Sequence, residues 1–277
     1  MLADETMDRI ANDIVAVDGV IGVTLGGSRA RGDAGPDSDV DLGVYYEGSL
    51  DVAALSTLAR RWSGSGAEVV GPGTWGPWVD GGGWLTIEDT AVDWLLRDVA
   101  RVREQWQRAG DGEFAFHMQV GHPLGFLDVA YAGELAQARV LADPGNVLWP
   151  LHTAMRTYPP ALRQAMVHLL WEAGFVLIFA RKAVRQNDLA FISMALSRSL
   201  MLCSHVLYAH NSVWATNDKG LVPGVARLAE APPDFADRAA EAIAAVRGSG
   251  EDLVDAIERV QSLVGETEKI AAPERHN

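Results

Sequence analysis

Cysteine is almost missing from this chain: Cys203 stands alone among 277 residues. One cysteine excludes an intrachain disulfide and any metal site built on thiolates. Its neighbours Leu202, Val206 and Leu207 mark it as a buried structural thiol. Cationic residues are also scarce, 23 Lys and Arg against 37 Asp and Glu, for a net charge of −14. A nonspecific DNA or RNA binder needs a basic track to displace counterions, so no nucleic-acid partner is expected. The histidines show neither His-x-x-x-His nor His-Glu spacing, which argues against zinc. Long hydrophobic runs are lacking too. The longest apolar stretch, His168 to Ala180, carries Glu172 and is shorter than a bilayer span. The first residues are acidic, without the basic-then-apolar pattern of a leader. These absences together predict a cytoplasmic protein without a membrane partner.

What is present divides into two halves. The length allows two domains, each able to bury a core. Residues 3–17 have helical spacing, followed by strands over 20–25 and 39–46 and a helix capped by Asp51. Glu68 to Val70 reads as a short strand. A Gly/Pro/Trp-rich loop from Gly71 to Gly83 precedes two adjacent strands, Trp84 to Glu88 and Ala91 to Leu96, with a tight turn at Asp89-Thr90. A helix follows to Ala109, then a strand within 113–120. From Asp143-Pro144 onward the pattern is helical, over 145–156, 160–185, 188–211, 221–229, 233–247 and 251–270. The fold class is α+β: a mixed sheet with flanking helices over 1–142, then a helical bundle over 143–277. Residues 271–277 read as a frayed tail.

The chemistry concentrates in residues 20–46. An apolar run ends at Gly26-Gly27-Ser28, and after a spacer of ten residues Asp39 and Asp41 flank Val40. Alternation along a strand turns both carboxylates to one face. Two close carboxylates repel unless one is protonated or a cation lies between them. Paired hard oxygens suit Mg²⁺, which usually shares its shell with phosphates. Gly27 lets a phosphate approach the backbone, and a short helix after it offers N–H groups. Phosphate cradle and metal carboxylates together point to transfer chemistry on a nucleoside triphosphate.

These residues resemble the motif of the nucleotidyltransferase superfamily that includes DNA polymerase beta. The Gly-Ser-Arg-Ala-Arg-Gly form is most similar to the small bacterial branch of aminoglycoside, lincosamide and minimal nucleotidyltransferases. The resemblance covers roughly residues 20–100. It implies a nucleotidyltransferase-type sheet, ATP as donor, Mg²⁺ as cofactor, and a small hydroxyl-bearing acceptor, with antibiotic resistance as one possible setting. Asp39 and Asp41 are then metal ligands, and Gly27 and Ser28 grip the outer phosphates. A third carboxylate is expected from a neighbouring strand. Asp93, inside Val92-Asp93-Trp94-Leu95-Leu96, fits, because an acid so enclosed is costly to bury unless paired or metal-bound. Its roles would be metal ligand and base for the acceptor hydroxyl. The competing reading pairs Asp93 with Arg97 at the surface.

The helical half resembles, more loosely, the substrate-binding domain of antibiotic nucleotidyltransferases. Glu172, mid-helix among apolar residues, reads either as a catalytic base or substrate anchor, or as the partner of an internal Arg or His. Lys219 follows Asn217-Asp218 in a loop, and the resemblance makes it a contact for the bound triphosphate. A solvated loop lysine is the alternative. Trp75, Trp78 and Trp84 cluster around the glycine-rich loop, either as packing beneath it or as a floor for a ring. Two further functions stay open: adenylylation of a protein partner, as in minimal nucleotidyltransferases, and nucleotide binding without catalysis.

Overall fold

The computed structural model describes residues 2–32, 35 and 38–272. Two compact units make up the chain. One runs to residue 157 without 110–113, and the other joins 110–113 to the residues from 158 onward. In the first, α1 (Asp4–Val15) leads into β1 (Val20–Leu25), α2 (Gly27–Arg31), β2 (Val40–Tyr46) and α3 (Val52–Ser63). After the tryptophan-rich loop come β3 (Gly82–Ile87), β4 (Thr90–Asp98) and α4 (Val99–Gly110). The unit closes with β5 (Phe116–Gln119), β6 (His122–Leu127), α5 (Ala130–Gln137), β7 (Arg139–Ala142) and α6 (Leu148–Met155). Five strands form a mixed sheet in the order β3-β4-β2-β1-β7, while β5 and β6 pair separately. β2 and β4 run parallel, and the other neighbours in the sheet are antiparallel.

Alternation along the central strands decides which face is dry. Val40, Leu42 and Val44 of β2 and Val92, Trp94 and Leu96 of β4 are fully buried. They form one core with Ile10 and Ile14 of α1 and Leu55 of α3. The residues between them, Asp41, Gly43 and Tyr45 on β2 and Asp93, Leu95 and Arg97 on β4, turn to the opposite face. On that face α6 seats Leu148 over Gly22, where a Cβ would lie 2.4 Å from the leucine Cδ1. The core therefore covers one face of the sheet, while Asp41 and Asp93 lie on the other.

Several elements differ from the sequence expectation. The hairpin turn lies one residue earlier than Asp89-Thr90, because Ile87 faces Thr90 across it. Glu88 and Asp89 both take positive φ, 48° and 59°, the pair of left-handed residues that a type I′ turn requires. The strand expected at 68–70 is reduced to an isolated bridge between Val70 and Gly82. The strand expected within 113–120 is β5, paired with β6. β6, α5 and β7 were not anticipated. Of the expected frayed tail, residues 273–277 lie outside the described residues.

The second unit contains α7 (Pro160–Val167), α8 (Leu170–Ala183), α9 (Leu189–His210), α10 (Leu221–Gly224), α11 (Phe235–Ala244) and α12 (Glu251–Ala271). The helix expected over 160–185 breaks after Val167, and the one expected over 221–229 is a single α turn followed by a 3₁₀ turn at Val225–Arg227. Asp188 caps α9 by accepting from the Phe191 amide, as its position predicts. α9 is buried along most of its length, and Ser199 donates to the Ala173 carbonyl of α8. By length and composition alone, Pro160–Gln186 and Leu189–His210 are long and apolar enough to cross a bilayer. The shorter run 168–180 did not reveal this. For α9 the apolarity has a local cause, since it is the buried centre of the unit.

Candidate active site

The site is built where β1, β2 and β4 present their second face. β1 ends in Gly26, whose amide donates to the Asp41 carbonyl at 2.8 Å. This bond ties the turn to the strand that carries the acids. Gly27 follows with φ +61°, and a Cβ built there would lie 1.8 Å from Asp41 Oδ2. The left-handed backbone favours glycine, and any side chain there would force the Asp41 carboxyl to move. The turn thus presses directly on a carboxylate of the site. Ser28 is the next residue, half-buried in α2. From the same short helix, Arg29 donates through Nε to the Asp39 carbonyl at 2.9 Å and through Nη2 to the Ser38 carbonyl. The approach to β2 is therefore pinned by a guanidinium that the sequence reading left without a role.

Parallel pairing places Asp93 of β4 directly beside Asp41 of β2. Asp39, just before β2, completes the group: ligand oxygens of Asp39, Asp41 and Asp93 all lie within 4.8 Å of one another. Burial, then the charge of Asp41 and then of Asp39, pushes the Asp93 carboxyl up to about 6. Asp41 is also raised, by burial first and then by Asp39 and Glu134, with Arg31 and Arg97 acting against it. Three oxygen donors this close repel one another, and a divalent cation removes that repulsion. The donor set fits Mg²⁺ chemistry: hard carboxylate oxygens, with no nitrogen or sulfur among them.

Arg97 has a different use from the one weighed against Asp93. It is 5 % exposed and makes a two-pronged ion pair with Glu134 of α5, at 2.6 and 3.1 Å. Its ring-face neighbour is Tyr131. This pair clamps α5 to the sheet beside Tyr45, which burial, ahead of all other effects, holds well above the usual phenol range. Neither Glu134 nor α5 carried a helical signal strong enough to be found.

The tryptophans separate into two groups. Trp78 packs inward, stacked on His117 at 4.0 Å and covered by Arg101. The loop that carries it is held by Gln119, whose Oε1 accepts from the Trp78 amide and whose Nε2 donates to the Trp75 carbonyl. Asp80 anchors the same loop, accepting from the Tyr46 hydroxyl at 2.8 Å and the Gly73 amide at 2.9 Å. Trp84, by contrast, is 69 % exposed and stacks on Trp75 at 4.4 Å and 18°. It is the register partner of Asp93.

The remaining sequence candidates lie on the second unit. Glu172 of α8 accepts from Nε and Nη2 of Arg198 on α9, at 3.0 and 2.9 Å. Glu172 is thus paired internally with an arginine of the neighbouring helix. Lys219 is exposed in the loop before α10, its amide donating to Asn217 Oδ1.

A glycine turn against Asp41, with Asp39 just before the same strand and Asp93 in parallel register, is a group that could hold a metal ion. Residues 7–69 match the model of the nucleotidyltransferase domain family. These residues form a nucleotidyltransferase domain, which supports nucleotidyl transfer as the general activity of an enzyme. No curated protein sequence matches the chain significantly. A solved nucleotidyltransferase-like protein from Exiguobacterium sibiricum aligns over 96 % of this chain and 74 % of its own, at 10 % identity and a TM-score of 0.43. That likeness assigns no residue and no substrate.

Proposed function

We propose that the protein transfers AMP from ATP to a hydroxyl of a small molecule and releases pyrophosphate. The observation that carries this reading is the Asp39–Asp41–Asp93 cluster beside a left-handed glycine turn that lies against Asp41. Mg²⁺ held by these three carboxylates would neutralise charge on the phosphates at the attacked phosphorus and on the leaving group. The backbone at Gly27 and the Ser28 hydroxyl bind the outer phosphates. Asp93 orients the acceptor hydroxyl and takes its proton as the oxygen bonds to the α-phosphorus. The bond from that phosphorus to the α,β-bridging oxygen breaks, and pyrophosphate leaves with the electron pair. Positioning and charge placement do most of the work, as phosphoryl-type chemistry allows. An aminoglycoside- or lincosamide-like antibiotic is one acceptor of this class. The reading uses no atom of Glu172 or Lys219.

The test is AMP transfer from α-labelled ATP, scanned over such acceptors with and without Mg²⁺. Asp41→Asn should lower turnover by at least about a hundredfold, the scale of several kcal/mol of lost charge stabilisation. Turnover close to wild type in that variant at saturating Mg²⁺ would remove the site assignment.

A further inference from the structure

We infer that the Trp75–Trp84 pair is the acceptor subsite, a stacking face that takes a hydroxyl-bearing ring and aims its hydroxyl at Asp93. The inference rests on the transfer reading above and names the shape of its second substrate. Across the sheet face, the sequence of groups is Trp84 on β3, Asp93 on β4, then Asp41 on β2. The Gly26-Gly27-Ser28 turn follows on the far side, bonded to Asp41. In an antiparallel pair, facing residues point the same way with Cβ atoms about 5 Å apart, so the indole stands next to the Asp93 carboxyl.

In-line displacement separates the incoming oxygen from the leaving one. With the outer phosphates over Gly27 and Ser28, pyrophosphate departs on that side. The attacking hydroxyl must then come from the opposite side, where Asp93 and Trp84 lie. The indole is therefore placed for the acceptor rather than for the phosphates.

The platform is built, not incidental. Trp75 lies over Gly82, two residues before Trp84 on the same strand. A Cβ at Gly82 would meet the Trp94 carbonyl oxygen of β4 first and then come 2.9 Å from Trp75 Cζ3, so glycine there lets both the strand and the ring pack close. Gly82 takes φ +151°, a conformation that side chains rarely adopt. The loop bearing Trp75 is fixed by Gln119 and by Asp80, whose carbonyl accepts from the Trp75 amide at 3.0 Å. One face of the stack is thereby supported, while Trp84 remains 69 % exposed beside Asp93 of the acid cluster. An indole face offers wide apolar contact and attracts positive charge. A hydroxylated ring with an apolar or cationic face satisfies both.

The experiment compares wild type, Trp84→Ala and Trp84→Phe as full-length proteins. Calorimetry measures α,β-methylene-ATP binding with Mg²⁺. Saturation-transfer NMR on the nucleotide-loaded protein then measures kanamycin, lincomycin, myo-inositol and p-nitrophenyl β-D-glucoside. We expect at least one ring probe to bind wild type, to weaken about tenfold or more in Trp84→Ala, and to recover in Trp84→Phe. Nucleotide affinity should stay within about twofold in all three. The platform assignment is overturned if no ring probe binds, or if ring binding is the same in Trp84→Ala. It is equally overturned if the alanine variant loses nucleotide affinity instead, which would make the stack a nucleobase site. Failure of wild type to bind the Mg²⁺ nucleotide would remove the transfer reading itself, and this inference with it.

Discussion

At the scale of single residues, Asp93 makes the electrostatic state of the site measurable. Its carboxyl is pushed up to about 6, from an ordinary 3.8, by burial and by Asp41 and Asp39. Between those two values the folded protein holds a proton that the unfolded chain has released. Lowering the pH through 6 therefore favours the folded state, and raising it above 6 removes that contribution. In metal-free protein, Asp93→Asn should be more stable than wild type at pH 7.5. The gap, on the order of 1 kcal/mol because water screens a half-exposed group, should shrink towards pH 5. Urea unfolding in EDTA at several pH values reads this directly. A difference that stays constant across the range would show that Asp93 carries no shifted proton. With saturating Mg²⁺ the gap should reverse, since the wild-type carboxylate then gains a cation.

At the scale of elements, the site depends on how α5 is fastened to β4. Arg97 is buried and holds Glu134 through two hydrogen bonds. Glu134→Ala leaves the guanidinium buried without its carboxylate, a loss expected to cost about 3–5 kcal/mol. The urea midpoint should fall with little change in slope. A loss below about 1 kcal/mol would mean that water solvates Arg97 once Glu134 is gone. The same element shows where sequence reading reaches its limit. Asp39 and Asp41 were legible because a period of two puts them on one face, and Asp93 because an acid inside an apolar run needs a reason. The helices of the second half were legible by their spacing, though not the break after Val167. The partner of Arg97 was not legible, because Glu134 sits 37 residues away on a short helix rich in Ala, and the pairing with Asp93 was only the competing reading. The exposed Trp84 and half-buried Trp78 look alike in sequence. Pairing register separates them, and register is a long-range property that composition does not carry.

At the scale of the whole molecule, ligand binding and strand order act on the same stability. Mg²⁺-ATP at a hundred times its dissociation constant should stabilise the fold by about 2.7 kcal/mol, by mass action alone. If the two compact units melt as separate transitions, the first unit's transition should carry the shift, because the candidate site lies within it. Ser28→Ala should reduce the shift and EDTA should abolish it. Identical melting curves with and without millimolar Mg²⁺-ATP and Mg²⁺-GTP would sink nucleotide binding. The parallel register of β2 and β4 has a consequence for errors in folding. Val92, Trp94 and Leu96 occupy the core because Asp93 does not, so a slip of β4 by one residue would drive the acid inward and three large side chains out. Such a slip would empty part of the core and remove the third acid from the cluster together. One strand register thus decides both whether the core is filled and whether the three acids meet.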